Sequence, residues 1–261
     1  MNTLPDNIQI ISSLNGFSFI KTWYDLSNES HFWMQWRVVA FQNQASAVNI
    51  PLKEKLKGIE VGCGHGVLRR QIKQITNWSI DGAELDFDAL KRNPAGEDKL
   101  YLYDITEKNK NFAGKYDFLF IYDVLEHNKD IQPFLNACAF HMKKNGFLFV
   151  NVPACQFLHS AYDTAQGHYK RYTKKVLFKE LMDNGFKILD IRYWGFFLTP
   201  LLVIRKCITS EKQSPESIIT KGFNPPSPQI NSLLKGLMKF ETTLFKKPPV
   251  GTSVMAIAQK L

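Results

Sequence analysis

Three glycines at alternate positions mark the stretch of this chain with the clearest chemical signature. Residues 58–66 read GIEVGCGHG, so Gly62, Gly64 and Gly66 follow a short apolar segment that contains an acid. Glycines spaced in this way let the backbone approach a nucleotide closely. The dinucleotide fingerprint G-x-G-x-x-G needs its third glycine where Val67 stands, and the Gly-Lys-Ser/Thr of a phosphate-binding loop is also missing. The pattern predicts a nucleotide-like ligand that does not place a pyrophosphate on this loop.

Acidic residues recur at four successive predicted strands. Glu60 lies in the first strand, Glu84 ends the second, Asp104 ends the third and Asp123 ends the fourth. An acid at the end of the second strand is placed to accept hydrogen bonds from both hydroxyls of a ribose. One such acid carries little information, because acids also stabilise helix N-termini. Four in succession indicate a ligand site.

A second group of side chains with chemical potential lies at residues 167–173, which read GHYKRYT. His168 is a candidate general base, and the planar cation of Arg171 suits anionic groups. With Tyr172, they are predicted to face a substrate, although they could instead only cap the helix that follows. His127, just beyond the fourth strand, could likewise act as a base or serve a structural role. Glu126 beside it is interpreted as an ordinary helix-start acid.

The elements that must position these residues alternate along the chain. Strands are predicted at 58–61, 78–84, 99–104, 116–123, 146–153, 186–194 and 253–261. Helices are predicted at 31–44, 67–75, 87–93, 131–144, 174–185 and 229–245. This alternation predicts an α/β, doubly wound, mostly parallel seven-stranded sheet with helices on both faces. Its ligand should bind beyond the carboxyl ends of the strands. The segments 154–172 and 206–227 are predicted to be loops.

In order and spacing, these motifs resemble the class I S-adenosylmethionine-dependent methyltransferases over about residues 31 to 194. IEVGCGHG is similar to their first motif, DGAELD to their ribose-binding segment, YDIT to their adenine-contacting segment and YDFLFIYDVLEHNKD to their fourth-strand motif. The chain more closely resembles a bacterial subgroup with HFW…R, GHxxRYT and PxGTS, here at 31–37, 167–173 and 249–253. Quinone-ring O-methyltransferases look like more distant relatives.

The resemblance implies the Rossmann-like methyltransferase fold and S-adenosyl-L-methionine as cofactor, a ligand without a pyrophosphate. It implies that Glu60 lies near the ammonium group, that Glu84 binds the ribose and that Arg37 contacts the methionine carboxylate. Cys63 is expected to pack in the loop and not to act as a nucleophile. The implied cofactor-contacting residues are Arg37, Glu60, Gly62, Cys63, Gly64, Gly66, Glu84, Leu85, Asp104, Ile105, Tyr122 and Asp123. The catalytic candidates are His168, His127, Arg171 and Tyr172, and no metal is expected.

Cysteine usage and apolar runs bear on the cellular setting. The chain has 261 residues, 44% of them hydrophobic, and its four cysteines are scattered without paired spacing. This usage predicts reduced thiols and neither a disulfide framework nor a zinc site. The longest apolar run, at 194–204, is too short for a membrane span, and no signal-peptide pattern begins the sequence. A cytoplasmic protein is therefore expected.

The positive charge is concentrated in the C-terminal part. Residues 1–150 carry 17 basic and 17 acidic residues, whereas residues 151–261 carry 16 basic and 7 acidic residues, which accounts for the net charge of +9. This part could be a solvated lysine-rich face. It could instead meet an anionic acceptor or an anionic membrane surface.

The predicted function is methyl transfer to an oxygen of a small or lipid-linked acceptor, such as a sugar, a polysaccharide-pathway intermediate or a quinone-like ring. RNA methylation is an alternative, but no RNA-binding module and no Asn-Pro-Pro-Tyr/Phe motif follows the fourth strand, so a nucleic-acid partner is not expected. A partner protein that binds the cofactor without turnover is a second alternative. The chain is also predicted to divide into four parts. Residues 1–50 form an N-terminal helical segment over the cofactor, and residues 51–194 form the cofactor-binding core. Residues 195–250 form a cap insertion, and residues 251–261 form the last strand.

Overall fold

A computed structural model describes residues 7–13, 20–94, 96, 98–223 and 227–261. Its strands form one sheet. Strands β1 to β8 comprise Ile8–Ile10, Lys57–Val61, Ser79–Glu84, Leu100–Leu102, Tyr116–Tyr122, Met142–Pro153, Phe186–Trp194 and Ser253–Lys260. Their order across the sheet is β1-β4-β3-β2-β5-β6-β8-β7. Strand β8 runs antiparallel to both neighbours and all other pairs are parallel, which confirms the predicted doubly wound, mostly parallel architecture.

The sheet has one strand more than the seven predicted. Strand β1 pairs in parallel with β4 at the edge of the sheet, in register Ile8 with Leu100. It was missed because its three residues, IQI, are too few to show a period. The other seven strands lie where the sequence predicts them, with ends that shift by a few residues.

Helices cover both faces of the sheet. Helices α1 to α10 comprise Lys21–Leu26, Phe32–Ala47, Val67–Ile75, Phe87–Lys91, Ile131–His141, Ala161–Ala165, Lys174–Asp183, Thr199–Ile208, Pro215–Phe223 and Pro228–Leu244. Helices α2, α3 and α10 pack on one face, and α5 and α7 pack on the other. Helix α7 has typical start and stop signals: the Thr173 side chain accepts from the Val176 amide, and Gly185 follows the helix with φ +82°.

The central strand β5 shows why the sheet is buried on both sides. Phe118 and Phe120 point into one core cluster, and Leu119 and Ile121 point into the other. Successive side chains of a strand point to opposite faces, so a continuous apolar run is what a strand covered on both faces requires.

The segment 206–227 is mostly helical and not the predicted loop. Helices α8 and α9 occupy much of it. This segment was interpreted as a loop because it is polar and contains prolines, but Pro215 is the first residue of α9, where a missing amide hydrogen costs nothing. Helix α9 buries Ile218 and Ile219 against Tyr162. The predicted loop at 154–172 likewise contains the short helix α6.

The C-terminal helices are anchored to the end of β7 by a buried acid. Glu241 of α10 accepts hydrogen bonds from the backbone amides of Gly195, Phe196 and Phe197, at 2.8, 3.1 and 3.0 Å. Gly195 has φ +77°, and an added Cβ there would lie 2.2 Å from Thr252 Oγ1. This tight turn carries the chain from the sheet into α8. The boundaries predicted for a separate cap segment stay a prediction.

Among the helices that the structure describes, none is both long and apolar enough to span a membrane.

Candidate functional site

A cavity of about 920 Å³ lies at the carboxyl ends of the central strands. Its floor is formed by residues that end β2 to β6. Its walls come from α1, α2 and the segment around α6, and from the C-terminal helices. Of the predicted site residues, the cavity is lined by Arg37, Glu60, Gly62, Cys63, Gly64, Glu84, Leu85, Asp104, Ile105, Tyr122, Asp123, His127, His168 and Arg171.

Two predicted site residues are not brought to the cavity. The backbone of Tyr172 pairs with Pro153 and Cys155, and its side chain is part of the core cluster on the α5 and α7 side of the sheet. Gly66 caps α3 in a left-handed conformation, and a Cβ there would lie 2.3 Å from Asn93 Oδ1. Tyr172 and Gly66 therefore pack beneath the residues that line the cavity and do not line it themselves.

The glycine turn after β2 brings bare backbone to the cavity. Gly62 and Gly64 have φ +70° and +51°. A Cβ on Gly62 would lie 2.6 Å from Val124 Cγ2, so the turn could not pack against the end of β5 with any larger residue. Cys63 between them is buried, and its burial raises the pKa of its thiol well above the usual range. The thiol therefore stays protonated, as expected of a packing residue.

Glu84 connects the glycine turn to the end of β3 through hydrogen bonds. One carboxylate oxygen accepts from the Gly64 amide at 2.7 Å, and the other accepts from the Leu85 and Asp86 amides at 2.7 and 3.1 Å. Burial raises the pKa of Glu84 even against these three hydrogen bonds. A carboxylate has about four lone-pair sites, so one is left toward the cavity. Glu84 thus orders the loop and still has room for a ligand hydroxyl.

Glu60 of β2 and Arg37 of α2 are buried charged residues that line the cavity. Glu60 is 5% exposed, and burial raises its pKa to about 7, although the charges of Arg69 and Arg37 lower it. Arg37 donates from Nη1 to Asp123 Oδ2 at 2.9 Å. Within the described part of the chain, Glu60 Oε2 and Arg37 Nε have no hydrogen-bond partner. An orphaned acceptor and an orphaned donor fit the ammonium and carboxylate groups of an amino-acid ligand.

The strand ends β4 and β5 complete the floor. Asp104 accepts from the Thr106 amide and hydroxyl at 2.8 and 2.6 Å and begins a 3₁₀ turn that includes the buried Ile105. Asp123 has φ +58° and accepts from Asn151 Nδ2 at 2.7 Å. Asp104, Ile105 and Asp123 therefore line the same cavity as the acids of β2 and β3.

The N-terminal helices line the cavity with residues of which the sequence analysis singled out only those of the HFW…R motif. Trp23 and Tyr24 of α1 line the cavity. Tyr24 packs edge-on against His65, whose Nε2 lies 2.8 Å from the Ser27 carbonyl oxygen. His31 caps α2 and stacks on Phe223 of α9, with ring centroids 4.4 Å apart.

The cavity wall around α6 is organised by Asp163, a residue that the sequence analysis did not consider. Its Oδ1 accepts from Arg171 Nε at 2.8 Å and lies 3.1 Å from His168 Nδ1. Burial alone would raise the pKa of Asp163, but the contact with His168 and the charge of Arg171 outweigh it and lower the pKa. Asp163 also completes a capping box with Ser160, and this S-x-x-D pattern could have revealed it.

Glu126, His127 and His168 form a compact group at the end of β5. Glu126 is 1% exposed, and burial together with the charge of Asp123 raises its pKa well above the usual range. His168 Nε2 lies 3.9 Å from Glu126 Oε1, and the two imidazole rings are 4.9 Å apart. Burial and the neighbouring His168 lower the pKa of His127 to about 4. His127 is therefore neutral at neutral pH.

A doubly wound sheet with a glycine turn after β2 and acids at the next strand ends defines the fold class of the class I methyltransferases. Residues 29–191 match the family model of the methyltransferase domain, and the chain belongs to this family. It is a methyltransferase whose cofactor is S-adenosylmethionine.

Solved structures share the fold at low identity. An S-adenosylmethionine-dependent methyltransferase from Archaeoglobus fulgidus is 17% identical with a TM-score of 0.52, over 86% of this chain and 94% of that one. Phosphoethanolamine N-methyltransferase 2 from Haemonchus contortus, in complex with S-adenosylmethionine, is 16% identical with a TM-score of 0.54, over 84% of this chain and 52% of that one. The [4+2]-cyclase SpnF is 12% identical with a TM-score of 0.54, over 83% of this chain and 80% of that one. A comparison with curated protein sequences finds no significant match.

Proposed function

We propose that this methyltransferase acts on an oxygen atom of a small or lipid-linked acceptor, such as a sugar, a polysaccharide-pathway intermediate or a quinone-like ring. The observation that carries this proposal is the group of His168, Glu126 and His127 in the cavity wall. A hydroxyl is a poor nucleophile until it loses its proton, and this group offers a place for that proton.

The cofactor supplies an electrophilic methyl group on a sulfonium centre when it is bound. We assign its amino-acid end to Glu60 and Arg37, its ribose to Glu84 and its base to the turn at Asp104 and Ile105. The remaining task of the protein is to hold an acceptor oxygen in line with that methyl group. Such positioning contributes up to about 7–11 kcal/mol to a reaction.

His168 is placed to take the acceptor proton. Asp163 lies 3.1 Å from its Nδ1, an arrangement that places the ring hydrogen on Nδ1 and leaves Nε2 as the proton acceptor. The His168 side chain is 12% exposed, so the base is shielded from bulk water. Arg171 is assigned to hold Asp163 in place, and an aligned base contributes about 10²–10⁴-fold to the rate.

The outer part of the cavity supports an acceptor with an apolar portion. It is lined by aliphatic side chains of α8, namely Leu201, Leu202, Ile204 and Ile208. Arg205 and Lys221 lie among them and give this mouth a positive charge. An apolar tail next to an anionic or sugar head group matches that surface, and peripheral contact with an anionic membrane is part of the same proposal.

Methyl transfer into a crude lipid and sugar-nucleotide extract tests the function. We expect the protein with labelled S-adenosylmethionine to produce a methyl ether, identified by mass spectrometry. His168→Ala should abolish the product, whereas His159→Ala, a change of a histidine outside the cavity lining, should not. An N-methyl or C-methyl product would contradict the proposed acceptor. Cofactor binding without any labelled product would favour a partner protein without turnover, and label in RNA would favour the other alternative.

A further inference from the structure

Three potential metal ligands lie together in the wall of the cavity. Glu126, His127 and His168 each offer one ligand atom, and these atoms all lie within 4.8 Å of one another. Ligand atoms around an ion at about 2.1 Å are about 3–3.5 Å apart, so small side-chain adjustments would close the site. Two imidazoles and one carboxylate form the ligand set of divalent transition metals, with coordination positions left open.

Glu126 provides independent evidence for a cation-binding site. Its side chain is 1% exposed, and neither carboxyl oxygen has a hydrogen-bond partner among the residues that the structure describes. A buried carboxyl group without a partner is costly, and such groups are rarely left unsatisfied. The nearest cationic candidate, His168 Nε2, is 3.9 Å away, beyond hydrogen-bonding distance. An ion between them would satisfy both groups.

The surroundings of the two histidines resemble those of metal ligands. His168 has Asp163 at its Nδ1, and His127 forms a hydrogen bond with the backbone of Gly167. Metal-binding histidines generally donate their second ring nitrogen to a carboxylate or a backbone carbonyl, which orients the ring and raises its basicity. Asp163 is itself fixed by Arg171 at 2.8 Å. The hydrogen bonds that would orient two histidine ligands of a metal ion are therefore present.

We propose that Glu126, His127 and His168 bind one divalent transition-metal ion, such as Mn²⁺, Fe²⁺ or Zn²⁺, whose open positions face the acceptor. Mg²⁺ fits less well because it prefers oxygen ligands. This departs from the sequence-based expectation of no metal.

In the reaction, which rests on the proposed function, coordination lowers the pKa of the acceptor hydroxyl. With the metal bound, the proton of the hydroxyl would pass to solvent, and His168 would be a metal ligand, which replaces the role of base that is proposed above for the metal-free site. The acceptor oxygen forms a bond to the methyl carbon while the carbon–sulfur bond of the cofactor breaks, leaving a neutral thioether.

Metal binding is tested directly on the full chain. The protein is stripped with a chelator, titrated with Co²⁺ while its visible absorption is recorded, and analysed for bound Mn²⁺ and Zn²⁺ by elemental analysis after gel filtration. We expect one ion per chain. Glu126→Gln, His127→Ala and His168→Ala should each lower the affinity at least 100-fold, and His159→Ala should leave it unchanged. Asp163→Asn, a change in a positioning residue, should lower it about 10- to 100-fold.

Several outcomes would overturn the site. One is a wild-type protein that binds no ion at micromolar concentrations, and another is a folded Glu126→Gln protein that binds ions as wild type does. Calorimetric titration with S-adenosylmethionine and thermal melting accompany each variant, so that a loss of folding is recognised. Metal binding without methyl transfer would contradict the proposed function and leave the site intact. Methyl transfer by the stripped enzyme at the full rate would contradict the role of the metal and leave the function intact.

Discussion

At the scale of single residues, Glu84 illustrates how one carboxylate can serve both loop and ligand. Glu84→Ala removes the acceptor of three backbone hydrogen bonds together with the proposed ribose contact. A hydrogen bond to a charged group contributes about 1.5–3 kcal/mol, so we expect the affinity for S-adenosylmethionine to fall about 10- to 100-fold. Calorimetry measures the affinity, and Glu107→Ala, a change in an exposed acid after the next strand, is the control. A folded Glu84→Ala protein with unchanged affinity would contradict the assignment.

Glu60 should make cofactor binding depend on pH. Its pKa in the folded protein is about 7, and an ammonium ligand favours the ionised form. Because the ionised fraction grows as the pH rises through 7, we expect the affinity to increase about five- to tenfold between pH 6 and 7.5. The isosteric, uncharged Glu60→Gln variant should bind more weakly and lose this dependence. The same calorimetric pH profile in both proteins would exclude Glu60 as the partner of the ammonium group.

The same raised pKa has a consequence for stability. The folded state binds the proton of Glu60 more tightly than the unfolded state, in which the pKa is near 4.5. Protonated Glu60 therefore adds to the free energy of unfolding. This contribution is complete below about pH 4.5 and is lost as the pH rises through about 7.

At the scale of elements, the segment that joins β6 to α7 depends on a buried ion pair. Arg171 is 3% exposed and bridges Asp163 and the Ala154 carbonyl oxygen, at 2.8 and 3.0 Å. Arg171→Ala leaves the fully buried Asp163 without its main counter-charge, and breaking such a pair costs about 3–5 kcal/mol. We expect a large fall in melting temperature, whereas the sequence analysis considered Arg171 as a substrate-facing cation or as part of a helix cap.

The neighbouring Lys170 provides a matched control. It pairs with Glu180 at 2.5 Å, but its side chain is 34% exposed. Exposed pairs contribute little, so Lys170→Ala should barely change the melting temperature. If the Arg171→Ala protein instead has the same melting temperature as Lys170→Ala and a higher KM, the Arg171 guanidinium binds an anionic group of the substrate.

At the scale of the whole molecule, the basic charge and the exposed apolar side chains occur in the same part of the chain. Helices α8 and α10 expose large apolar side chains, namely Leu201, Val203, Ile204, Ile208, Ile230, Leu233, Phe240 and Leu244. They belong to the segment that supplies the net charge of +9. Apolar contact next to positive charge is the usual composition of a surface that binds anionic membranes.

We expect the protein to bind anionic phospholipid vesicles more strongly than neutral ones, with an affinity that falls steeply as salt is raised from about 50 to 300 mM. Vesicle co-sedimentation measures this. The double change Leu233→Ser and Phe240→Ser on the exposed face of α10 should weaken binding, with cofactor affinity as the control for folding. Equal binding to neutral and anionic vesicles would leave the lysine-rich surface as a solvated face.

The strands and most helices could be predicted because their signals are local. The apolar runs of β5 and β6, the cap at Thr173 and the glycine after α7 each act over a few residues. Helices α8 and α9 were missed because their stability comes from packing, as when Ile218 and Ile219 bury themselves against Tyr162. Strand β1 was missed because its pairing partner lies far away in the sequence.

The residues predicted for the cofactor end of the site could be found from the sequence. They lie at the ends of parallel strands, and the topology of a doubly wound sheet brings those ends to one edge. The acceptor end was decided only by tertiary structure. Whether His168 faces a substrate, a cap or a metal depends on Asp163 behind it and on Glu126 across from it, residues on three different segments. Burial removes water from these groups, so their charges and hydrogen bonds depend on neighbours that no local pattern reveals.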